Sequence, residues 1–324
     1  MIPLSLLDLS PINLGSDAAH SFRNTLDLAR HAEGYGYRRF WLAEHHGMPG
    51  IASAATAVLI GYVASGTSAI RVGAGGIMLP NHSPLVIAEQ FGTLESLYPG
   101  RIDLGLGRAP GSDSLTAQAL RRNLTSDPEE FPRDVLELAD YFSESPRQAV
   151  RAVPGRGLNV PLWILGSSLF GAQVAAALGL PYAFASHFAP AQMMEAISLY
   201  RSSFRPSRQL RQPYVMLGFN VFAADTLEEA RFRATSMQQA FVNLRSGRPS
   251  QLPPPVEGYS DRLVPEQRAI LEQVLACTSV GTAEMVRAQL RSFAARTGAD
   301  ELMIVSDVFD HAARLRSFAL IAAA

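Results

Sequence analysis

The sequence predicts a (β/α)8 TIM barrel, an α/β fold, with insertions after the fourth and seventh strands. Eight short apolar runs are typical of strands buried on both faces, because their hydrophobic residues are continuous instead of alternating with polar ones. Nearly all of these runs are followed by a helical pattern, without a repeated hairpin signal between them. A chain of 324 residues has a common size for one such barrel, and a doubly wound sheet is the second choice.

The first half of the chain alternates strands and helices in close succession. Predicted strands cover residues 2–9, 39–43, 70–77 and 101–106, and predicted helices cover about 17–33, 53–65 and 84–97. Ser16 or Asp17 can cap the first helix, and Gly34 ends it. Pro84 begins the third helix, since proline is well tolerated at a first helical position.

The second half keeps this rhythm but contains two longer connections. Residues 109–160 hold polar loops and room for two helices, and the later strands are expected at 161–168, 182–185, 214–223 and 301–307. Further helices follow each of them, including two near 265–276 and 282–297. The segment SGRPSQLPPPVEGYSD, 246–261, is too rich in proline for a helix or central strand. It is either a lid or a surface insertion of a single domain covering 1–324.

Composition excludes several classes of function. Lys and Arg number 28 against 29 Asp and Glu, so the chain lacks the basic field that nucleic-acid binding needs. With Cys277 alone, neither an intramolecular disulfide nor a multi-thiolate metal site can form. No apolar run is long enough to span a bilayer, and the N-terminus has no signal-like pattern, so a cytoplasmic protein is expected.

Polar residues follow the predicted strands, at the barrel face that carries chemistry in this fold. These strand ends are Asp8, Glu44-His45-His46, Gly75-Gly76, Gly107-Arg108, Gly166-Ser167-Ser168, Ser186-His187, Asn220 and Ser306-Asp307. A closed barrel should bring all of them to one mouth.

The adjacent histidines 45 and 46 allow three interpretations. Consecutive residues of an extended chain point to opposite sides, so the pair is a poor metal site and no metal is expected. One ring packing under the loop while the other bonds the backbone is an ordinary structural explanation. The favoured hypothesis is that one histidine acts as an acid, base or donor near neutral pH.

Glycines mark the exit of the third strand, in GAGGIMLP, 73–80. Glycine lets the backbone approach a flat ligand closely. A bulge at a barrel corner would explain the same residues. The dinucleotide fingerprint is absent, because the segment lacks G-x-G-x-x-G and opens no helix.

Arg108 leaves the fourth strand in GRIDLGLGRAPG, 100–111, where it suits a phosphate or carboxylate ligand or, equally, a structural salt bridge. In LGSSLFGA, 165–172, a strand turns into a helix at Gly166, Ser167 and Ser168. Free N–H groups and the helix dipole make such a turn an anion site, unless a serine merely caps the helix. Together Arg108 and Ser167 favour a phosphate-bearing cofactor.

With these segments assembled, the chain resembles the bacterial luciferase-like family of flavin-dependent monooxygenases over nearly its whole length. The resemblance rests on the order and spacing of FWLAEHH, IRVGAGGIMLP with NHSPLVIAEQ after it, GRIDLGLGRAPG, and the later LGSS and VGTAE. It is strongest over 38–111 and closest to the FMN-type, single-component branch.

The resemblance implies a barrel whose mouth binds reduced FMN or, in some branches, the deazaflavin F420. His45 matches the family's active-site histidine beside the reactive edge of the isoalloxazine. Gly75 and Gly76 match a pair whose peptide bond is often cis and lies against the ring, and Met78 is a candidate apolar wall.

Phosphate contacts are implied in the same way. Arg108 matches a ligand of the flavin side chain and phosphate. Ser167, in the turn with Gly166 and Ser168, matches a phosphate contact at the helix start.

The expected activity is oxidation of a small organic substrate by a C4a-hydroperoxyflavin, formed from O2 and reduced FMN that a separate flavin reductase supplies. F420-dependent hydride transfer and flavin binding without turnover are the alternatives. Gly107 stands where luciferase alpha subunits carry a reactive cysteine, so light emission is not expected. Relatives usually pair through the helices near the second and third strands, which implies a homodimer.

Overall fold

The computed structural model describes residues 2–108, 114–120 and 130–322. Its strands are β1 (Leu4–Asp8), β2 (Arg39–Leu42), β3 (Arg71–Met78), β4 (Ile102–Gly107), β5 (Leu162–Gly166), β6 (Tyr182–Phe184), β7 (Val215–Ala223), β8 (Thr278–Gly281) and β9 (Glu301–Val305). Its helices are α1 (Ala18–Gly34), α2 (Thr56–Ser65), α3 (Pro84–Leu97), α4 (Ser114–Leu120), α5 (Phe131–Tyr141), α6 (Leu169–Leu178), α7 (Met193–Ser203), α8 (Leu227–Arg245), α9 (Pro265–Leu275), α10 (Ala283–Thr297) and α11 (His311–Ala322). The predicted order of strands and helices is confirmed, with one additional strand. Residues 109–111, the end of the GRIDLGLGRAPG segment, lie outside the described residues.

Eight strands close into a parallel barrel in the order β1 to β7 and then β9, which returns to β1. The closing pairs include Leu4 with Leu302 between β1 and β9, and Tyr182 with Val215 between β6 and β7. Because the ring is complete, the doubly wound alternative is wrong and the predicted (β/α)8 barrel is confirmed.

Each barrel strand buries both of its faces, which explains the continuous apolar runs. Leu6 and Phe40 point outward into the core beneath the helices, whereas the next residues, Leu7 and Trp41, point into the barrel. The interior layer also contains Ala43, Trp163, Ala183, Met216, Met303 and Val305. Trp41 and Trp163 meet edge to face with ring centroids 5.1 Å apart. These side chains fill the barrel, so a ligand site must lie above them at the mouth.

A charged network closes the opposite, N-terminal end of the barrel. Arg39 donates hydrogen bonds to Asp103 at 2.7 Å and to Glu301 at 3.0 Å, and both carboxylates are completely buried. Arg71 donates to the other oxygen of Asp103 at 2.7 Å, and the Tyr214 hydroxyl donates to Glu301 at 2.8 Å. The partners come from distant parts of the sequence, so no local sequence pattern predicts the network.

The strand that the sequence analysis missed is β8. It pairs with the end of β7, from Asn220 with Thr278 to Ala223 with Gly281, beyond the part of β7 that pairs with β9. Only four residues long and placed between α9 and α10, it carries no recognisable strand pattern. Its position depends on the long-range pairing with β7.

The two longest connections between barrel strands follow β4 and β7, where the insertions were predicted. The first contains α4 and α5, and the second contains α8, α9, β8 and α10. No helix within the described ranges is long and apolar enough to cross a membrane.

The proline-rich segment 246–261, which we call the strap, is attached to the loops after β1 and β2. The Leu252 amide donates to the Ile12 carbonyl at 2.9 Å, and the Leu252 carbonyl accepts from the Leu14 amide at 2.8 Å. The Ser250 carbonyl oxygen lies so close to Gly50 that a Cβ there would meet it at 2.2 Å. The strap therefore links the end of α8 to two loops of the barrel mouth.

Candidate active site

The two histidines after β2 point to different sides, as their adjacency predicts. Trp41 and Ala43 face the barrel interior, His45 lies near His187 after β6, and His46 bonds to Glu44 instead. Burial lowers the pKa of His45 below its ordinary value; the Glu44 carboxylate opposes this shift and His46 adds to it. His45 is therefore a neutral imidazole near pH 7, able to accept a proton.

Glu44 lies on the outer side of the same strand exit and holds three groups. Its Oε1 lies 2.8 Å from the Nε2 atoms of both His46 and His82, and its Oε2 accepts from the Met78 amide at 3.0 Å. Burial raises the pKa of Glu44, but the hydrogen bonds from His82, His46 and Met78 outweigh burial and leave it lowered. The ionised carboxylate thus joins the exits of β2 and β3. Sequence reasoning missed His82 because the contact spans 38 residues.

Gly75 and Gly76 are joined by a cis peptide bond, as the resemblance implied, at a shift of register between β3 and β4. A Cβ on Gly75 would lie 2.8 Å from Leu7 Cδ1, and one on Gly76 would lie 2.8 Å from the Gly105 carbonyl oxygen. The barrel's own packing therefore requires glycine at Gly76, where the contact is with backbone, whereas at Gly75 the nearest atom is the end of a leucine side chain. The bulge that was one explanation of these residues is confirmed.

Pairing of β4 with β5 brings Arg108 to the turn that begins α6. The register places Gly107 opposite Leu165, so that Arg108 and Gly166 are neighbours. The guanidinium carbon of Arg108 lies 4.1 Å from the centre of the Phe170 ring, in the first turn of α6. In the described part of the chain no carboxylate forms an ion pair with Arg108, so the salt-bridge explanation is not supported.

The start of α6 is open. Ser168 occupies the N-cap position, but its side chain makes no capping hydrogen bond, and Ser167 is exposed. Ser168 is therefore the N-cap residue that the alternative explanation named, but its hydroxyl leaves the first N–H groups of α6 unbonded. Uncapped N–H groups, the positive end of the helix dipole and the Arg108 charge form a corner suited to an anion.

A second imidazole, His187, lies near His45. It packs against Gly218 of β7, where a Cβ would meet His187 Nδ1 at 2.1 Å, and its carbonyl accepts from Asn220 Nδ2 at 2.7 Å. Burial, with a smaller contribution from the nearby His45, lowers the pKa of His187 to about 4. Its Nδ1 is buried without a partner among the described residues, so Nε2 is the nitrogen left for a group in the mouth. The sequence analysis placed His187 at a strand end but not among the site residues, since β6 is too short to show which way it points.

Not every strand end reaches the mouth. Asp8 points outward, where its carboxylate accepts from Arg314 at 2.8 Å and from Thr25 at 2.7 Å. The expectation that all strand ends share one mouth is wrong for Asp8, because Leu7 takes the inward position. Asp307 lies 3.9 Å from the same arginine; burial raises its pKa, and Arg314 opposes the shift.

A cleft of about 990 Å³ lies at the other end of the barrel. Arg38, Arg71, Asp103 and Tyr214 line it, together with the loop before β5. Their charged groups belong to the buried network described above, and this face of a (β/α)8 barrel ordinarily serves stability.

The mouth therefore carries neutral imidazoles after β2 and β6 and a positive corner at the β4 and β5 exits, with close-packed glycine backbone on β3 and β4. This arrangement suits a flat ligand with an anionic tail. Among the residues that the structure describes, no group of His, Cys, Asp and Glu has the arrangement of a metal site.

Comparison with known proteins shows the family of the chain. The family model for luciferase-like monooxygenases matches residues 3–301. A luciferase-like monooxygenase of Escherichia coli K12 is 57% identical, with 98% of this chain and 96% of the relative aligned. An N-acetyl-S-alkylcysteine monooxygenase of Bacillus subtilis is 38% identical over 76% of this chain and 75% of its own.

Solved structures repeat the fold. The crystal structure of apo-MsnO8 has a TM-score of 0.89 at 34% identity, covering 99% of this chain and 98% of that one. Two more distant structures show the fold alone. The oxygenating constituent of Pseudomonas putida 3,6-diketocamphane monooxygenase, in complex with FMN, has a TM-score of 0.74 at 18% identity and covers 100% and 98% of the two chains. An F420-dependent secondary alcohol dehydrogenase has a TM-score of 0.73 at 14% identity and covers 99% and 98%. The chain belongs to the luciferase-like monooxygenase family and is an oxidoreductase.

Proposed function

We propose that this protein is a monooxygenase that uses reduced FMN and O2 to oxidise a small organic substrate. The observation that carries the proposal is the placement of Arg108 beside the uncapped start of α6, at the same barrel mouth as the neutral His45. A phosphate fits the first feature and a proton transfer fits the second. Monooxygenase and FMN-binding proteins among the similar folds support this choice.

Arg108 would hold the flavin phosphate together with Ser167, Ser168 and the backbone at Gly166. The guanidinium supplies charge and directed donors, and the first turn of α6 supplies N–H groups. The stacked Phe170 ring keeps the arginine in place.

The second half of β3, which contains Gly75 and Gly76 instead of ending at them as expected, would form the floor beneath the isoalloxazine. Gly75 and Gly76 present backbone without side chains, and Met78, whose amide is fixed by Glu44, would pack against the ring. When bound, the reduced flavin supplies the electrons that activate O2 for transfer of one oxygen atom.

His45 would move the proton that this reaction requires. Because burial keeps its imidazole neutral, it can accept a proton at its free nitrogen and return it later. The apolar layer below and the strap above would exclude water from the reacting atoms. The whole chain would form a single domain, and the strap would act as its lid.

The cofactor test compares FMN with riboflavin, which lacks the phosphate. Arg108→Gln should weaken FMN binding by about 10- to 100-fold, the range for a charged hydrogen bond, and leave riboflavin binding unchanged. Flavin fluorescence titration measures both affinities, and the exposed Arg156→Gln is the control. Equal losses for FMN and riboflavin would refute the phosphate assignment. Tighter binding of F420 than FMN would favour the alternative, F420-dependent hydride transfer.

Activity is tested by supplying the enzyme with FMN and a flavin reductase. A panel of sulfides, including N-acetyl-S-alkylcysteines, is the first choice because the B. subtilis relative acts on such a compound. His45→Gln should lower the rate of oxygenated product formation by about 100-fold or more while retaining FMN affinity. A variant with the parental rate would remove the proton role from His45.

We also propose a homodimer that pairs through α2 and α3. Val58 and Leu97 are 75% and 62% exposed on these helices, and Tyr62 and Val86 extend the same apolar surface. Val58→Asp should shift the protein to a monomer in light scattering after size exclusion, whereas Val153→Asp, equally exposed elsewhere, should not. A parental protein that is already monomeric would contradict the proposal.

A further inference from the structure

Arg245, the last residue of α8, is held by two aromatic rings. Its guanidinium carbon lies 4.5 Å from the centre of the Phe188 ring and 5.1 Å from that of Phe241. The two rings contact each other edge to face at 5.8 Å. A guanidinium on an aromatic face is positioned by the ring while its N–H edges stay available to a planar acceptor.

No acceptor within the described ranges occupies those edges. The Arg245 side chain takes part in no hydrogen bond or ion pair among these residues. An arginine at a helix end often caps the last carbonyls, but here the carbonyls of Val242, Asn243 and Leu244 already accept from the amides of residues 246–248. Capping therefore does not explain why two aromatic rings hold this charge.

Arg245 lies at the rim of the barrel mouth. Phe188 directly follows His187, whose ring lies near His45. On the other side of Arg245 the strap begins, and Leu252 reaches the loop after β1. In the ring, β7 and β9 separate β6 from β1. Residues 245–252 therefore run along the edge of the mouth, from Phe188 after β6 to the loop after β1.

We propose that Arg245, Phe188 and His187 form a subsite for an anionic substrate, with Arg245 binding a carboxylate at the rim. The apolar body of the substrate lies against Phe188. His187 Nε2 offers a hydrogen bond further in, toward His45. This inference rests on the proposed function and names its substrate class: small apolar molecules that carry a carboxylate.

The flavin phosphate is the other anion that Arg245 could bind. The phosphate corner and Arg245 lie at different strand exits. Arg108 and the start of α6 belong to the β4 and β5 exits, whereas Arg245 contacts the β6 exit. A test must therefore measure flavin binding and substrate binding independently.

The test uses 4-(phenylthio)butanoate and its methyl ester as probes, titrated by calorimetry against the protein with and without FMN. The parental protein should bind the acid at least about 10-fold more tightly than the ester. Arg245→Gln should abolish this preference by weakening the acid alone, and Arg245→Lys should keep part of it. Arg248→Gln, an exposed arginine three residues along the strap, should behave like the parent.

Three results would overturn the subsite. They are a parental protein without preference for the acid, an equal loss of acid and ester binding in Arg245→Gln, and a loss of preference in Arg248→Gln. A fall in FMN affinity in Arg245→Gln as large as that expected for Arg108→Gln would assign Arg245 to the flavin instead. If the acid preference depends on Arg245 but no oxygenation occurs, the proposed function fails and the subsite stands.

Discussion

The four histidines of the mouth differ because their surroundings differ. His46 and His82 share the ionised Glu44 and act as anchors on the outer side of the β2 exit. His45 and His187 have no carboxylate within hydrogen-bond distance in the described chain, and burial lowers the pKa of both. The same side chain thus serves as a structural tie on one face of a strand and as a neutral group on the other.

The pKa of His187 is about 4 in the native protein and about 6.5 in the unfolded chain. As the pH falls below about 6.5, His187 therefore becomes protonated in the unfolded chain but stays neutral in the native protein, which favours unfolding. The contribution of His187 to stability is therefore lost progressively between about pH 6.5 and pH 4. When the pH is lowered from 7 to 4.5, the unfolding free energy of both proteins should fall. We expect the fall to be roughly 2–3 kcal/mol smaller for His187→Gln than for the parent. Urea denaturation at the two pH values measures the difference.

The control for this prediction is His20→Gln, an exposed histidine, which should follow the parent. Parallel losses in His187→Gln and the parent would show that His187 is protonated in the native state.

At the scale of the element, β2 connects the two ends of the barrel. Its inward side carries Arg39 at the charged N-terminal network, then Trp41 and Ala43 in the apolar layer, and then His45 at the mouth. The segment that carries His45 is therefore anchored at its N-terminal end by the ion pairs of Arg39.

The network at the start of β2 should be a large contributor to stability. Arg39→Met leaves Asp103 and Glu301 buried with fewer partners, and we expect a loss of about 3 kcal/mol in unfolding free energy. The adjacent Arg38→Met removes a 3.6 Å contact to Glu301 and a 2.9 Å hydrogen bond to the Tyr214 hydroxyl. Because the Arg38 side chain is half-exposed, this change should cost less than about 1 kcal/mol. Denaturant unfolding of both variants checks this contrast, and equal losses would contradict it.

At the scale of the whole molecule, the insertion after β7 builds a cap, made of α8 and α9, on the C-terminal ends of β7 and β9. A second hydrophobic core joins α8 and α9 to Phe222 at the end of β7 and Val308 after β9. The strap continues from this cap to the β1 and β2 loops. The position of the strap is therefore a property of long-range contacts across the barrel.

Release of the strap should uncouple oxygen reduction from substrate oxidation. Leu252 is 5% exposed, and Leu252→Asp places a charge in that buried position. We expect faster proteolysis within 246–261 and a several-fold lower ratio of product formed to O2 consumed, because water reaches the reacting atoms. Val264→Asp, an exposed position outside the strap, is the control. Unchanged coupling together with faster proteolysis would show that the strap is not a lid.

The sequence by itself determined the order of strands and helices, which favoured a barrel over a doubly wound sheet, and the strand ends where Glu44, His45 and Arg108 lie. These are local properties, since runs of apolar residues, caps and glycines act over a few neighbouring positions. Only the tertiary structure decided that Asp8 faces Arg314, that His82 shares Glu44, that β8 pairs with β7, and that Arg245 meets Phe188. Each of these contacts joins residues far apart in the chain, and packing of the complete barrel selects them.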